Sequence, residues 1–167
     1  GTARPIPGSI RWSKTYGGTG TDRARSLVAT SDGGYALAGS TKSFGAGEED
    51  FWLVKTDEFG NEEWNQTYAM YIYSSEPFTS LVATSDGGCA IACARSSANG
   101  TGGVGLIKID ESGNMEWNRT YRSNSLIGTS DGGYALAGAI SPPVGIGPSS
   151  FLLIKTDAYG DILWNQT

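Results

Sequence analysis

The sequence predicts an all-β chain built from β-propeller-type blades of four antiparallel strands. It holds three blades plus an extra N-terminal outer strand. Three observations carry that expectation. A decapeptide, "TSDGGYALAG" from position 30, returns as "TSDGGCAIAC" from 84 and "TSDGGYALAG" from 129. A second motif recurs behind it: "FWLVKTDEFGNEEWNQTY" from 51, "VGLIKIDESGNMEWNRTY" from 104 and "FLLIKTDAYGDILWNQT" from 151. Trp12 in "IRWSKTYGG", Trp64, Trp117 and Trp164 stand 52, 53 and 47 residues apart, so three whole units follow the tail of another. A β-sandwich or a solenoid is the alternative. A sandwich, however, gives no reason for its sequence to repeat.

The elements follow in order. The tail, about residues 10–16, supplies a fourth strand without the first three. Blades then span about 24–68, 78–121 and 125–167 within one all-β domain. The first strand of each is small and mixed, "SLVAT" at 26 and 80 and "SLIGT" at 125. An Asp-Gly turn follows, at Asp32-Gly33, Asp86-Gly87 and Asp131-Gly132. Glycine accepts the positive φ that tight turns need, and the aspartate is placed to bond the turn's own N–H groups. The second strand, "YALAG" or "CAIAC", leads through a longer glycine-rich loop to the third, "FWLVK", "VGLIK" or "FLLIK". There apolar residues run without alternation, so both faces are expected to be buried between neighbouring blades. A second tight turn carries Gly60, Gly113 and Gly160 at matching positions. The fourth strand, "EEWNQTY", "MEWNRTY" or "DILWNQT", is the most polar and suits an exposed edge.

Composition narrows the chemistry. Net charge is −5 and no Lys/Arg cluster stands out, so nucleic acid is not an expected partner. No apolar run is long enough to insert into a membrane as a helix. Histidine is absent, which removes the commonest general base and metal ligand. Cys89 and Cys93 lie four apart on one strand, roughly 13 Å and too far for a disulfide. Two small buried residues are the expectation there, with a metal or redox site the alternative. Calcium at Asp57, Asn61, Asp157 and Asp161 is a further alternative, although the alternating acids of a calcium loop are missing. No enzymatic activity, cofactor or metal is expected.

The run "TYGG…TSDGGYALAGST" with "WLVKTDEFGN" and "EW" resembles the tandem repeats of secreted archaeal and bacterial surface proteins, related to delta-60-type propeller repeats. The resemblance covers nearly the whole chain. The second unit departs from it, with "TYAMYIY" in place of "TYGG" and "SSANGTGGVG" in its long loop. It implies an extracellular or cell-surface propeller and no reaction. The decapeptide also partly matches the Asp-box turn of sialidase-like propellers, but no unit repeats an arginine at an inner position.

Function is expected at the loop-rich end, opposite the tight turns, where the units differ most. Candidate binding-loop residues are Met70, Tyr71, Ile72 and Tyr73, an apolar aromatic stretch, with Phe44 and Asp50 in the first long loop. Packing of that stretch on a neighbouring blade is the alternative. Asn-x-Thr acceptors at Asn65, Asn99, Asn118 and Asn165 fit a glycosylated surface protein. Two functions are weighed: a non-catalytic surface module in assembly or adhesion, and a propeller that binds a glycan or another ligand. Three blades leave apolar end faces exposed, so the expectation is self-association, through terminal strands at Ile10, Trp12 and Trp164 or through the faces themselves, with a place in a longer propeller the alternative. In the strand-exchange version, the strand around Trp12 completes a blade elsewhere.

Overall fold

The computed structural model describes residues 12–46, 49–68, 79–95, 103–121, 123, 125–140 and 150–167. The first sheet joins β1 (Asp22–Ala29), β2 (Tyr35–Thr41), β3 (Asp50–Thr56) and β4 (Glu62–Tyr68). The second joins β5 (Thr79–Ala83), β6 (Cys89–Arg95), β7 (Gly103–Ile109) and β8 (Met115–Tyr121). The third joins β9 (Ser125–Gly128), β10 (Tyr134–Ile140), β11 (Ser150–Thr156) and β12 (Ile162–Gln166). Each is an antiparallel meander in chain order, and no helix occurs among the described residues.

Both tight turns of every sheet close in the same way. Thr30 N–H donates to the Gly34 carbonyl at 3.0 Å and Gly33 N–H to the Thr30 carbonyl at 3.0 Å. Asp57, Gly60 and Asn61 repeat the pattern at 2.9 and 3.2 Å. The closing residue is left-handed, with φ +91° at Gly33, a conformation that costs an L-residue about 1–2 kcal/mol. The next glycine is needed for a different reason. A Cβ on Gly34 would lie 2.0 Å from the Thr56 carbonyl oxygen, and Gly88 and Gly133 meet the same obstruction. Turn chemistry alone accounts for the first glycine of each pair but not the second.

Where the third strand meets the fourth, the register slips by one residue. The slip falls at Lys55/Thr56 and recurs at Lys108/Ile109 and Lys155/Thr156. The extra residue is Glu63, Glu116 or Leu163. Such a bulge sets two residues of one strand against one of its partner. Here it aims Glu63 and Glu116 at the lysine opposite.

The sheets stack face to face. Ala36, Ala38, Phe51 and Leu53 of the first meet Cys89, Ile91, Ile107 and Ile109 of the second. The second sheet's other face, through Ala90, Ala92 and Leu106, meets Tyr134, Leu136, Leu152 and Ile154. The first strands run side by side, and Ser80 Oγ in β5 donates to the Leu126 carbonyl in β9 at 3.2 Å. β3 is buried along its whole length. β11 is not: its two faces differ, because no described sheet lies beyond the third. Residues 12–18 carry no strand pairing, unlike the outer strand expected over about 10–16, and Ile10 lies outside the described residues.

Candidate functional site: the seats between sheets and the open third sheet

The fourth strand of one sheet is fastened to the next by two aromatic side chains four residues apart, hence on one face. Tyr68 Oη donates to the Gly113 carbonyl at 2.8 Å. The Trp64 ring lies so close to Gly113 that a Cβ there would be 3.1 Å from it, and Trp64 Nε1 donates to the Glu111 carbonyl at 3.0 Å. Burial pushes the Tyr68 phenol up, which keeps it a donor. One junction later, Tyr121 Oη donates to the Gly160 carbonyl and Trp117 covers Gly160, 2.9 Å from where a Cβ would stand. The Arg119 guanidinium lies 5.8 Å over the Trp117 ring and 3.6 Å from Asp161. Each seat glycine is therefore required twice, by its positive φ and by the space its missing side chain leaves for an indole.

Residues 12–16 fill the same seat on the first sheet. Tyr16 Oη donates to the Gly60 carbonyl at 2.8 Å, and a Cβ on Gly60 would come 2.7 Å from the Trp12 ring. Lys14 Nζ donates to Asn61 Oδ1 at 3.3 Å, the counterpart of the contact between Arg119 and Asp161. Trp12 meets Tyr35 at 6.0 Å and 61°, as Trp117 meets Tyr134 at 6.0 Å and 68°. Behind the segment, Gly18 and Gly20 N–H groups donate to Ser43 Oγ at 3.2 and 2.9 Å, and Ser43 Oγ donates to Asp22 at 2.7 Å. Trp12, the residue expected to complete a blade elsewhere, is seated here on Gly60 of its own chain. The cause is the apolar face of Tyr35, Leu37, Trp52 and Val54, which the segment shields from water.

A lysine locks each sheet internally, buried in the first two and half-buried in the third, a feature the motif reading missed. Lys55 Nζ lies 2.6 Å from both Asp32 and Glu63, and Lys108 Nζ lies 2.8 Å from both Asp86 and Glu116. Lys155 pairs with Asp131 at 2.9 Å, but Leu163 stands where the other blades carry a glutamate. The Lys55 ammonium, the Thr30 hydroxyl and the Gly34 N–H hold Asp32 well below the usual carboxylate range. Burial alone would push Asp86 up. The Lys108 ammonium, the Thr84 hydroxyl and the Gly88 N–H outweigh it and hold Asp86 at about 2. Carboxylates so occupied are poor proton acceptors near neutral pH. Asp57 likewise accepts from Phe59 N–H and Asn61 N–H, both at 2.8 Å, and serves its own turn. Among the described residues no three His, Cys, Asp or Glu converge as a metal site requires.

The outer face of the third sheet is open. Phe151 is 93% exposed, and Leu153, Leu163 and Trp164 beside it are also exposed, whereas the equivalent Phe51 and Leu53 are 1% and 0% exposed. Trp164 has no seat among the described residues. Leu163 makes this face more apolar than its two covered counterparts.

The remaining candidates fall apart from these features. Asn65, Asn118 and Asn165 are exposed on the outer strands; Asn99 lies outside the described residues. Asn65 Oδ1 accepts from Trp52 Nε1 at 3.0 Å, and its amide donates to Glu62 at 2.7 Å. Met70, Tyr71, Ile72 and Tyr73 also lie outside the described residues. Phe44 packs on Trp52 at 5.3 Å while staying exposed, and Asp50 is buried in the first sheet. A cleft of about 870 Å³ opens between the second and third sheets, lined by Asp86, Lys108, Glu116, Trp117, Tyr134 and Tyr159. It sits at the tight-turn end, not at the loop-rich end where a site was expected. No protein-family model matches this chain, and comparison with curated proteins returns no match.

Proposed function

We propose that this chain is a non-catalytic propeller-type module of the cell surface, whose role is structural assembly with further copies of itself. The open outer face of the third sheet carries the reading. Phe151, Leu153, Leu163 and Trp164 form a contiguous set of a kind that soluble proteins normally cover. The chain also displays twice what covers such a face. The first sheet's Phe51 face lies on the second sheet's Ile91 face, and the second sheet's Leu106 face lies on the third sheet's Leu136 face. The complement of the open face is therefore the Leu37–Val54 face of the first sheet in a second copy. Such a contact is heterologous and generates a ring or a filament. Sedimentation velocity of the full chain over a rising micromolar series tests this. Association should grow with concentration and vanish in Phe151→Asp. A species that stays monomeric throughout even when residues 1–17 are removed, or association indifferent to Phe151→Asp, overturns the proposal.

The cleft between the second and third sheets favours a second reading, binding of a neutral glycan. Exposed Tyr159 and half-buried Trp117 offer ring faces, with Glu116 and Asp86 as acceptors between them. Calorimetric titration with an oligosaccharide panel tests it. Heat that disappears in Tyr159→Ala supports this reading, and no heat with any glycan excludes it.

A further inference from the structure

Residues 12–16 copy a fourth strand in every respect but one. Their Trp, their Tyr and the long basic side chain between them occupy the first sheet's seat with the geometry of β8 on the third sheet. Among the described residues they lack a sheet of their own, since 12–18 pair with no strand there. The seat they fill is the one a neighbouring copy would need. Stacking a third sheet on a first sheet places the incoming Trp164 on Gly60, where the Trp12 ring already lies. Two indoles cannot share one glycine.

We infer that the 12–16 segment is a self-capping strap: it holds the head of the molecule closed and must be displaced before the tail of a second copy docks. The inference rests on the assembly reading above and adds its regulation. Donation of the strap to a second copy's third sheet fits less well. β12 already pairs with β11 in the register that β4 keeps with β3. In sequence, Arg11 stands before Trp12 where Glu63 and Glu116 stand before Trp64 and Trp117, and those glutamates face Lys55 and Lys108. Opposite Lys155 it would set like charge against like. A cap, by contrast, needs only the contacts already made.

A tethered cap competes at high effective concentration, and association is weakened in proportion to the fraction of time the seat is open. A strap that covers the seat nine-tenths of the time weakens docking about tenfold.

The experiment compares the full chain, a chain lacking residues 1–17, and Trp12→Ala by sedimentation velocity over one concentration series. Tryptophan fluorescence confirms that each variant is folded. Trp12→Ala loosens the strap without removing it and serves where the deletion unfolds the first sheet. The strap predicts association at about tenfold lower concentration in the deletion or in Trp12→Ala, abolished again by adding Phe151→Asp. Association that is unchanged or weaker when the strap is lost, yet still sensitive to Phe151→Asp, overturns the cap and leaves the assembly reading standing. Variants that stay monomeric with the strap gone and the sheets folded overturn both.

Discussion

Replacing Lys108 with methionine isolates the contribution of the buried ion triads. The side chain is 5% exposed, and its ammonium donates to Asp86, Glu116 and the Ile109 carbonyl at 2.8, 2.8 and 3.1 Å. Methionine keeps most of the length and the apolar stem and removes the charge together with the hydrogen bonds it donates. Breaking a buried pair costs about 3–5 kcal/mol when the abandoned charge stays buried. Asp86 and Glu116 are instead 55% and 44% exposed at the side chain, so water recovers part of that cost. A loss of about 2–3 kcal/mol remains. Lys155→Met supplies an internal comparison. That lysine faces one carboxylate because Leu163 replaces the glutamate, so about 1 kcal/mol is expected. Urea unfolding followed by tryptophan fluorescence measures both, the larger loss lowering the midpoint by about 1 M or more. The pH dependence has a definite sign. Asp86 is held at about 2 in the folded chain, against about 3.9 unfolded. Its contribution is therefore fully present above about pH 4 and is lost as pH falls toward 2. The gap between wild type and Lys108→Met should narrow over that window. Equal losses for the two variants, or a gap that widens in acid, would refute the argument.

Three further outcomes are expected. Tyr68→Phe leaves the buried Gly113 carbonyl without its 2.8 Å donor and should cost about 1–2 kcal/mol in the same assay; an unchanged midpoint would show that the seat contributes nothing. Gly34→Ala should destabilise more than Gly33→Ala, since a Cβ at 34 would overlap the Thr56 carbonyl at 2.0 Å while one at 33 meets nothing within 4 Å. The reverse order would mean that φ, not overlap, dominates these turns. The Cys89 thiol, buried and pushed up to about 11 by that burial, should resist iodoacetamide at pH 8 until the chain unfolds; alkylation at the rate of a free thiol would disprove the stacking that covers it.

The sequence by itself determined the four-strand unit, the position of both tight turns and the exposed polarity of the outer strand. All three depend on near neighbours in the chain, namely alternation, Asp-Gly turn chemistry and a spacing that repeats. Burial of β3 was legible too, from an apolar run without alternation. The seats were not, although their signal was present in a Trp and a Tyr four apart before each junction. Their partners lie in the turn of the following unit, Glu111 at 47 residues from Trp64 and Gly113 at 45 from Tyr68, and only the offset between stacked sheets brings them together. The lysine triads stayed hidden because a one-residue bulge aims Glu63 and Glu116, and no periodicity in the sequence marks it. Only the tertiary structure decided the fate of the two terminal tryptophans. The rings are chemically alike, but Trp12 finds Gly60 within its own chain, while Trp164 stands on the one sheet face that nothing described here covers.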